Sequence, residues 1–423
     1  MTADAGSSSL ASLRAALGER VFALESPLRV GGSTLTARVE PADAEELATC
    51  LRILSEAREP VLVMGAGTRM DLGNPVRGVS TALSCRRLAG IVEFDPSDGV
   101  VQVSAGTPLA ELAGIVEAEG WLLPLDPPDR GGTVGGVLAT AICGPRQRGF
   151  GPVRDAVLGI DTVLASGERT RCGARVVKNV TGYDMAKLYV GSLGTLGVTE
   201  KAWLRLKPIP ASLRVVELAV APDEDAFSLA LAAARRNSAR AVALLGEPAD
   251  SPLKNGGHRR IVAEFAGEPP ATEADADWLS RGRGEVSEAG TAIDDLRRLQ
   301  AQPLPGGLRA RIHVLPGRLA AAWEKLQDLG AELLAYPEPG VIHARFGPGE
   351  DEGDFGWLSE VLEALEGIRA GLEAEVVLEA LPDGAATERD VFAGARGLDL
   401  MRSIKQRFDP AGILNPGRFA GRI

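Results

Sequence analysis

The stretch VVKNVTGYDMAKLYVGSLGTLGV, residues 176–198, sets Lys178, Asn179, Tyr183 and Asp184 into an apolar run and then places Gly191, Gly194 and Gly197 within seven positions. Glycine loses more backbone freedom on folding than any other residue. Three at this spacing, beside polar side chains, imply that something approaches the main chain. Thr181 and Asp184 have the spacing of a capping box, which predicts a short helix over YDMAKLYV stopped by Gly191. Gly194 and Gly197 remain to be explained. They run directly into VTEKAWLRLKP, a strand with Val198, Ala202, Leu204 and Leu206 available to pack.

Upstream, strands and helices alternate. TLTARV (34–39) reads as a strand, and PADAEELATCLRILSEA (41–57) carries Leu47, Cys50, Leu51 and Leu54 at helical spacing. PVLVM (60–64) reads as a buried strand running into GAGTRMDLGNP, a glycine loop whose N–H groups can cradle phosphate, with Arg69 as counter-charge. Met70 breaks the G-x-G-x-x-G fingerprint and no Gly-Lys pair makes a Walker loop, so a plain turn and a ligand loop both stay open. GIVEFDPSDGVVQVSAG (90–106) is a hairpin with an Asp-Gly turn. In TPLAELAGIVEAEG (107–120), Thr107 is the expected N-cap and Pro108 the first helical residue. A second glycine cluster follows: Gly131, Gly132, Gly135 and Gly136 lead into the small-residue run VLATA, with Arg146, Arg148 and Arg154 able to meet phosphate. Tight helix–strand packing is the alternative to a ligand role for these glycines.

The 423 residues call for two or three domains. A formal charge of −11 argues against nucleic acid or an anionic lipid surface as the main partner. Cys50, Cys85, Cys143 and Cys172 form no C-x-x-C pair, which excludes an iron–sulfur cluster or zinc ribbon written in this chain, so no metal site is expected. The N-terminus lacks the pattern of a signal peptide and no apolar run approaches a membrane span; a cytoplasmic protein, membrane-associated at most through partner subunits, is expected.

Taken in order, GAGTRMDLGN, GGTVGGVLATAICGPRQRGFGPVRD, NVTGYDMAKLYVGSLGTLGVTE and the C-terminal RFDPAGILNPGRFA resemble the FAD-binding PCMH-type domain of the vanillyl-alcohol oxidase family, in particular its glycolate-oxidase subunit branch. The resemblance implies an α+β protein: an N-terminal helical segment (1–27), a two-subdomain FAD-binding domain (28–210), an α+β cap (211–380) and a segment (381–423) that returns to the flavin domain. It implies that Gly65, Ala66, Gly67, Thr68 and Arg69 cradle the pyrophosphate. Gly132, Thr133, Val134, Gly135, Gly136, Thr140, Gly144, Arg154 and Asp155 would run beside it and the flavin. Lys178, Asn179 and Tyr183 would lie near the ring or its ribityl chain, and Gly197, Val198 and Asn415 would also meet the cofactor. Some relatives attach flavin covalently through a histidine in the first loop. Thr68 fills that slot here, and Cys143 reads as a packed small residue, so FAD is expected to be noncovalent.

Oxidation of a 2-hydroxy acid needs a base, a cation for the carboxylate and a hydride acceptor. Catalytic relatives carry H-x-G-D-G-N-x-H in the cap. This chain has only His258, His313 and His343, far apart, each expected to be structural, and no catalytic residue is assigned. The resemblance therefore implies an FAD subunit of a glycolate- or D-lactate-oxidising complex, with a catalytic flavin subunit and an iron–sulfur subunit as partners. A self-sufficient FAD-linked oxidoreductase is the alternative, and a scaffold that has lost flavin a remoter one.

Overall fold

The computed structural model describes residues 5–175, 184–221, 223–246, 259–282, 285–287, 291–348, 356–382, 385 and 389–423, without the side chains of 5–8. Lys178, Asn179, Thr181, Tyr183 and His258 lie outside the described residues.

Two sheets build the first half. Ser33–Val39 shows buried positions at every second residue, as its alternation dictates, and sits in a four-stranded sheet ordered Val21–Val30, Ser33–Val39, Thr81–Ser84, Val61–Met64. The helix Ala44–Ala57 connects its parallel strands. Asp43 caps it by accepting from the N–H groups of Glu45 (2.9 Å) and Glu46 (2.8 Å), and Leu47, Cys50, Leu51 and Leu54 are buried against the sheet. The second sheet is antiparallel, ordered Ile91–Asp95, Val100–Ser104, Val198–Arg205, Val157–Val163, Arg169–Gly173. The strand after the third glycine cluster is thus its centre, buried alternately along its length.

The helix at 107–120 begins differently from its sequence expectation. It spans Leu109–Ala118 with Pro108 in the cap position, because the Thr107 hydroxyl is engaged elsewhere: it accepts the Gly90 N–H at 2.9 Å and ties the helix to the hairpin. The short helix of the opening stretch is Ala186–Tyr189, with Gly191 at φ +84° beyond it.

Residues from Ser212 to Ala380 supply an eight-stranded antiparallel sheet, ordered Glu285–Ser287, Ser212–Val220, Arg259–Gly267, Ala239–Leu245, Glu332–Tyr336, Val341–Phe346, Leu308–His313, Glu375–Ala380. The helices Ala226–Ala234, Pro269–Ser280, Leu319–Asp328 and Gly356–Gly371 cover one face in the largest apolar core. Thr291–Ala301 covers part of the other through Ile293 and Leu296. The remainder of that face is charged and turns toward the first half.

Ion pairs join cap to first half. Glu264, with no exposed side-chain surface, receives Arg146 Nε (2.9 Å) and Nη2 (2.7 Å) from the second glycine segment and Arg240 Nε (2.5 Å) from its own sheet. Asp126 receives Arg297 Nε at 2.9 Å, and Asp71 receives Arg309 Nη2 at 2.5 Å. The chain then returns: Asn415 Oδ1 accepts the Val63 N–H, and Lys405 donates to the Thr195 and Leu414 carbonyls and to Asp409.

Candidate functional site

A cleft opens between the two smaller sheets. Its walls are the three glycine clusters. The structure brings together Gly65, Ala66, Gly67, Thr68, Arg69, Gly132, Thr133, Gly135, Gly136, Thr140, Gly197 and Val198. Val134 points into the core, fully buried. Gly144 abuts the Asp126 carbonyl, which a Cβ would meet at 2.5 Å. Arg154 and Asp155 stand outside the cleft with largely exposed side chains. Asn415 lies behind the wall, 1% exposed, and holds it rather than lining it.

The glycines have different reasons to be glycine. At Gly194, in the left-handed region, a Cβ would meet Asn415 Nδ2 at 2.9 Å, and at Gly197 it would meet Thr162 Cγ2 at 2.5 Å. Both serve close packing on one side while their bare backbone faces the cleft on the other. Gly135 is packed against Ala105 at 2.8 Å, the tight-packing alternative realised. Gly132 is different: the nearest atom to a Cβ is Thr68 Oγ1 at 3.5 Å, so its glycine leaves room in the cleft.

The donors are equally uneven. At the start of the helix Val134–Thr140, the N–H of Val134 bonds Thr107 O, that of Gly135 bonds Ala105 O, and that of Gly136 bonds Thr133 Oγ1. Those groups are spent within the protein. The N–H groups of Ala66, Gly67, Thr68 and Arg69 donate to no protein acceptor among the described residues. Four free donors in one loop are what a diphosphate takes, so the residues present fit an FAD pyrophosphate at the first glycine loop. Arg418, 5% exposed, braces this loop by donating to the carbonyls of Arg69 (3.3 Å) and Met70 (3.1 Å).

Sequence reasoning missed the neighbours drawn from elsewhere in the chain: Met64, Cys85, Ala105, Leu193 and Arg418 complete the cleft. Burial pushes the Cys85 thiol up to about 12, so it is an uncharged wall atom. Cys143 is packed against the core of the second sheet, its Sγ 3.7 Å from the Ala141 carbonyl.

Beside the cleft, Arg69 also lines a second hollow with the cap residues Arg297 and Arg309, and Arg309 lines a further hollow of the cap with His343, Arg345 and Glu379. Arg309 and Arg311 alternate on one strand, directly opposite Arg345 and His343 on the next, while Glu379 comes from the third. Arg311 Nε donates to Glu379 Oε1 at 3.0 Å, and His343 Nδ1 lies 3.9 Å from Glu379 Oε2. Burial depresses His343 to about 4 against the opposing pull of Glu379, helped by the charges of Arg311, Arg309 and Arg69; the imidazole is neutral at neutral pH. Period two in RARIH was the available signal for this arginine face. His313 is exposed and bonds the Pro339 carbonyl at 2.7 Å, a surface role. Among the described residues no three His, Cys, Asp or Glu side chains gather as metal ligands, and no helix is long and apolar enough to cross a membrane.

A cleft walled by three glycine clusters between two small sheets, beside a large antiparallel sheet, defines the PCMH-type fold of FAD-binding oxidases, and parts of the chain match models of the FAD-linked oxidases. Residues 35–173 match the family model described as "FAD binding domain", and residues 388–419 match "FAD linked oxidases, C-terminal domain". The chain is 28% identical over 409 residues to D-lactate dehydrogenase of Archaeoglobus fulgidus, covering 91% of each chain. It is 39% identical over 155 residues to glycolate oxidase subunit GlcE of Escherichia coli, spanning 36% of this chain and 44% of that one. With subunit GlcD of Bacillus subtilis it shares 25% over 419 residues, 90% and 88% of the two chains. The solved structure of p-cresol methylhydroxylase with substrate bound superposes with a TM-score of 0.76 at 16% identity, covering 99% of this chain and 97% of that one, which shows the same fold. The cofactor is FAD.

Proposed function

We propose that this chain oxidises a small 2-hydroxy acid, glycolate or D-lactate, to the 2-oxo acid as the FAD-binding subunit of a glycolate-oxidase-like complex, with a catalytic flavin subunit and an iron–sulfur subunit as partners. The observation that carries the reading is the cationic cap face beside the FAD cleft: Arg309 shares one hollow with Arg69 of the cleft wall and another with a neutral histidine. Similarity to the D-lactate dehydrogenase and to the GlcE and GlcD subunits supports the substrate class and the complex.

FAD held by the Gly65–Arg69 loop and the Gly132–Gly136 and Gly197–Val198 walls supplies the hydride acceptor for C2 of the acid. The chain's own residues do the rest. The cap arginines lower the cost of bringing a carboxylate into a half-enclosed site. His343, neutral above about pH 4, accepts the hydroxyl proton as the C–O bond becomes C=O, and Glu379 beside it stabilises the imidazolium that forms. FAD is held without a covalent bond, Thr68 standing where a linking histidine would be.

The buried His343–Glu379 pair also favours a second reading, a self-sufficient enzyme. Anaerobic addition of glycolate or D-lactate to the yellow holoprotein separates the two. Slow bleaching alone and fast bleaching with the partner subunits supports the subunit reading, and fast bleaching of the isolated chain supports the second. Flavin that stays oxidised in both settings removes the hydroxy-acid reading.

A further inference from the structure

We infer that Arg69 is the receptor for the substrate carboxylate, rather than a counter-charge for the FAD diphosphate. This rests on the 2-hydroxy-acid reading above and assigns the anion site within it.

The cations at the junction are not equivalent. Arg309 is engaged by Asp71 at 2.5 Å, Arg311 by Glu379 at 3.0 Å, and Arg345 by Glu332 at 3.5 Å and the Leu299 carbonyl at 3.0 Å. Arg297 is held by Asp126 and Asp294. Arg69 forms no ion pair among the described residues. Its Nε and Nη2 are both buried and both without a partner. Buried guanidinium nitrogens left unpaired are costly, and they are tolerated where a ligand completes them. Arg309 and Arg345 leave only Nε unpaired, whereas Arg69 leaves a whole edge. Nε and Nη2 are the two parallel donors that match the two oxygens of a carboxylate or phosphate.

Position decides between the two anions. The free N–H groups of Ala66–Arg69 already provide a diphosphate cradle on the main chain. The Arg69 side chain instead reaches the junction, lining both the cleft and the adjoining hollow with Asp71, Arg297 and Arg309. Its charge acts on His343 and on Glu379 of the cap. A carboxylate held by this edge would stand between the flavin cleft and the imidazole. A small 2-hydroxy acid needs that placement for its C2 and its hydroxyl to face opposite groups.

The test compares wild-type holoprotein with Arg69→Met and Arg69→Lys. Bound FAD is measured spectroscopically and oxalate binding by calorimetry. Neither substitution touches the Arg69 carbonyl that Arg418 uses. Arg69→Met should keep stoichiometric FAD and bind oxalate at least tenfold more weakly, and Arg69→Lys should recover part of the loss. If Arg69→Met loses FAD, the side chain belongs to the diphosphate and the inference falls. Oxalate binding unchanged in Arg69→Met also overturns it, while leaving the hydroxy-acid reading intact. A wild-type holoprotein that binds neither oxalate, glycolate nor D-lactate would overturn that reading, and this assignment with it.

Discussion

Asn415 Oδ1 accepts the Val63 N–H at 2.7 Å, across 352 residues of chain, while its Nδ2 donates to the Leu193 carbonyl at 2.6 Å. One buried amide thereby holds the strand that feeds the first glycine loop against the third glycine cluster. It sits at φ +44°, where asparagine is better tolerated than most side chains. Two walls of the FAD cleft depend on a residue that touches neither loop in sequence.

Asn415→Ala should therefore weaken both folding and cofactor retention. It orphans a buried N–H and a buried C=O, at about 1–3 kcal/mol each. Urea unfolding should show the lower midpoint, and gel filtration should show FAD lost from the variant under conditions where wild type keeps it. Full FAD occupancy together with an unchanged midpoint would mean that the walls are held by other contacts.

Gly132→Asp isolates the cofactor from the fold. Its Cβ has room and its φ lies outside the left-handed region, so the chain should fold with the melting curve of FAD-stripped wild type, but a carboxylate in the cleft repels the diphosphate. The purified variant should be colourless. Gly67→Asp is a poorer probe, because φ +80° and Met64 Cε at 2.9 Å from a Cβ strain the backbone whatever the charge. A yellow Gly132→Asp protein would place the diphosphate elsewhere.

FAD should leave the protein on denaturation. Acid precipitation of the holoprotein is expected to give a yellow supernatant and a colourless pellet. Colour remaining in the pellet would direct attention to Cys143, the half-buried thiol beside this region.

Glu264 should make the cap junction acid-sensitive. Burial opposes its charge, but the hydrogen bonds and charges of Arg146 and Arg240 prevail and hold it at about 2, below its ordinary 4.5. Because the folded state binds the proton less readily than the unfolded chain, the stabilisation is complete above pH 4.5 and is lost as pH falls toward 2, about 3 kcal/mol in all. Glu264→Gln should remove that acid dependence. It should also destabilise the protein by about 3–5 kcal/mol at neutral pH, since Arg146 and Arg240 are left buried without their carboxylate. Thermal melts from pH 3 to 7 measure both, and parallel curves for the two proteins would show that Glu264 does not govern the junction.

The sequence by itself determined the local elements and the three glycine clusters. Alternation in TLTARV and in the strand after Gly197, the Leu47–Leu54 stripe and the Asp-Gly hairpin turn are periodicities of two and 3.6, and short-range sterics enforce them without help from the rest of the chain. The tertiary structure decided which glycine faces a ligand and which merely packs. Gly135, Gly144 and Gly197 are glycines because Ala105, Asp126 and Thr162 press on them, and nothing in the neighbouring residues records that pressure. It also moved Thr107 from its expected cap to Gly90 and left Arg154 and Asp155 outside the cleft. Only the fold brings Arg69, Arg311, His343 and Glu379 to one place, because strand pairing and cap docking join residues hundreds of positions apart. Burial and charge at that junction then keep the imidazole neutral and one guanidinium edge free, and both are properties of surroundings that linear order does not contain.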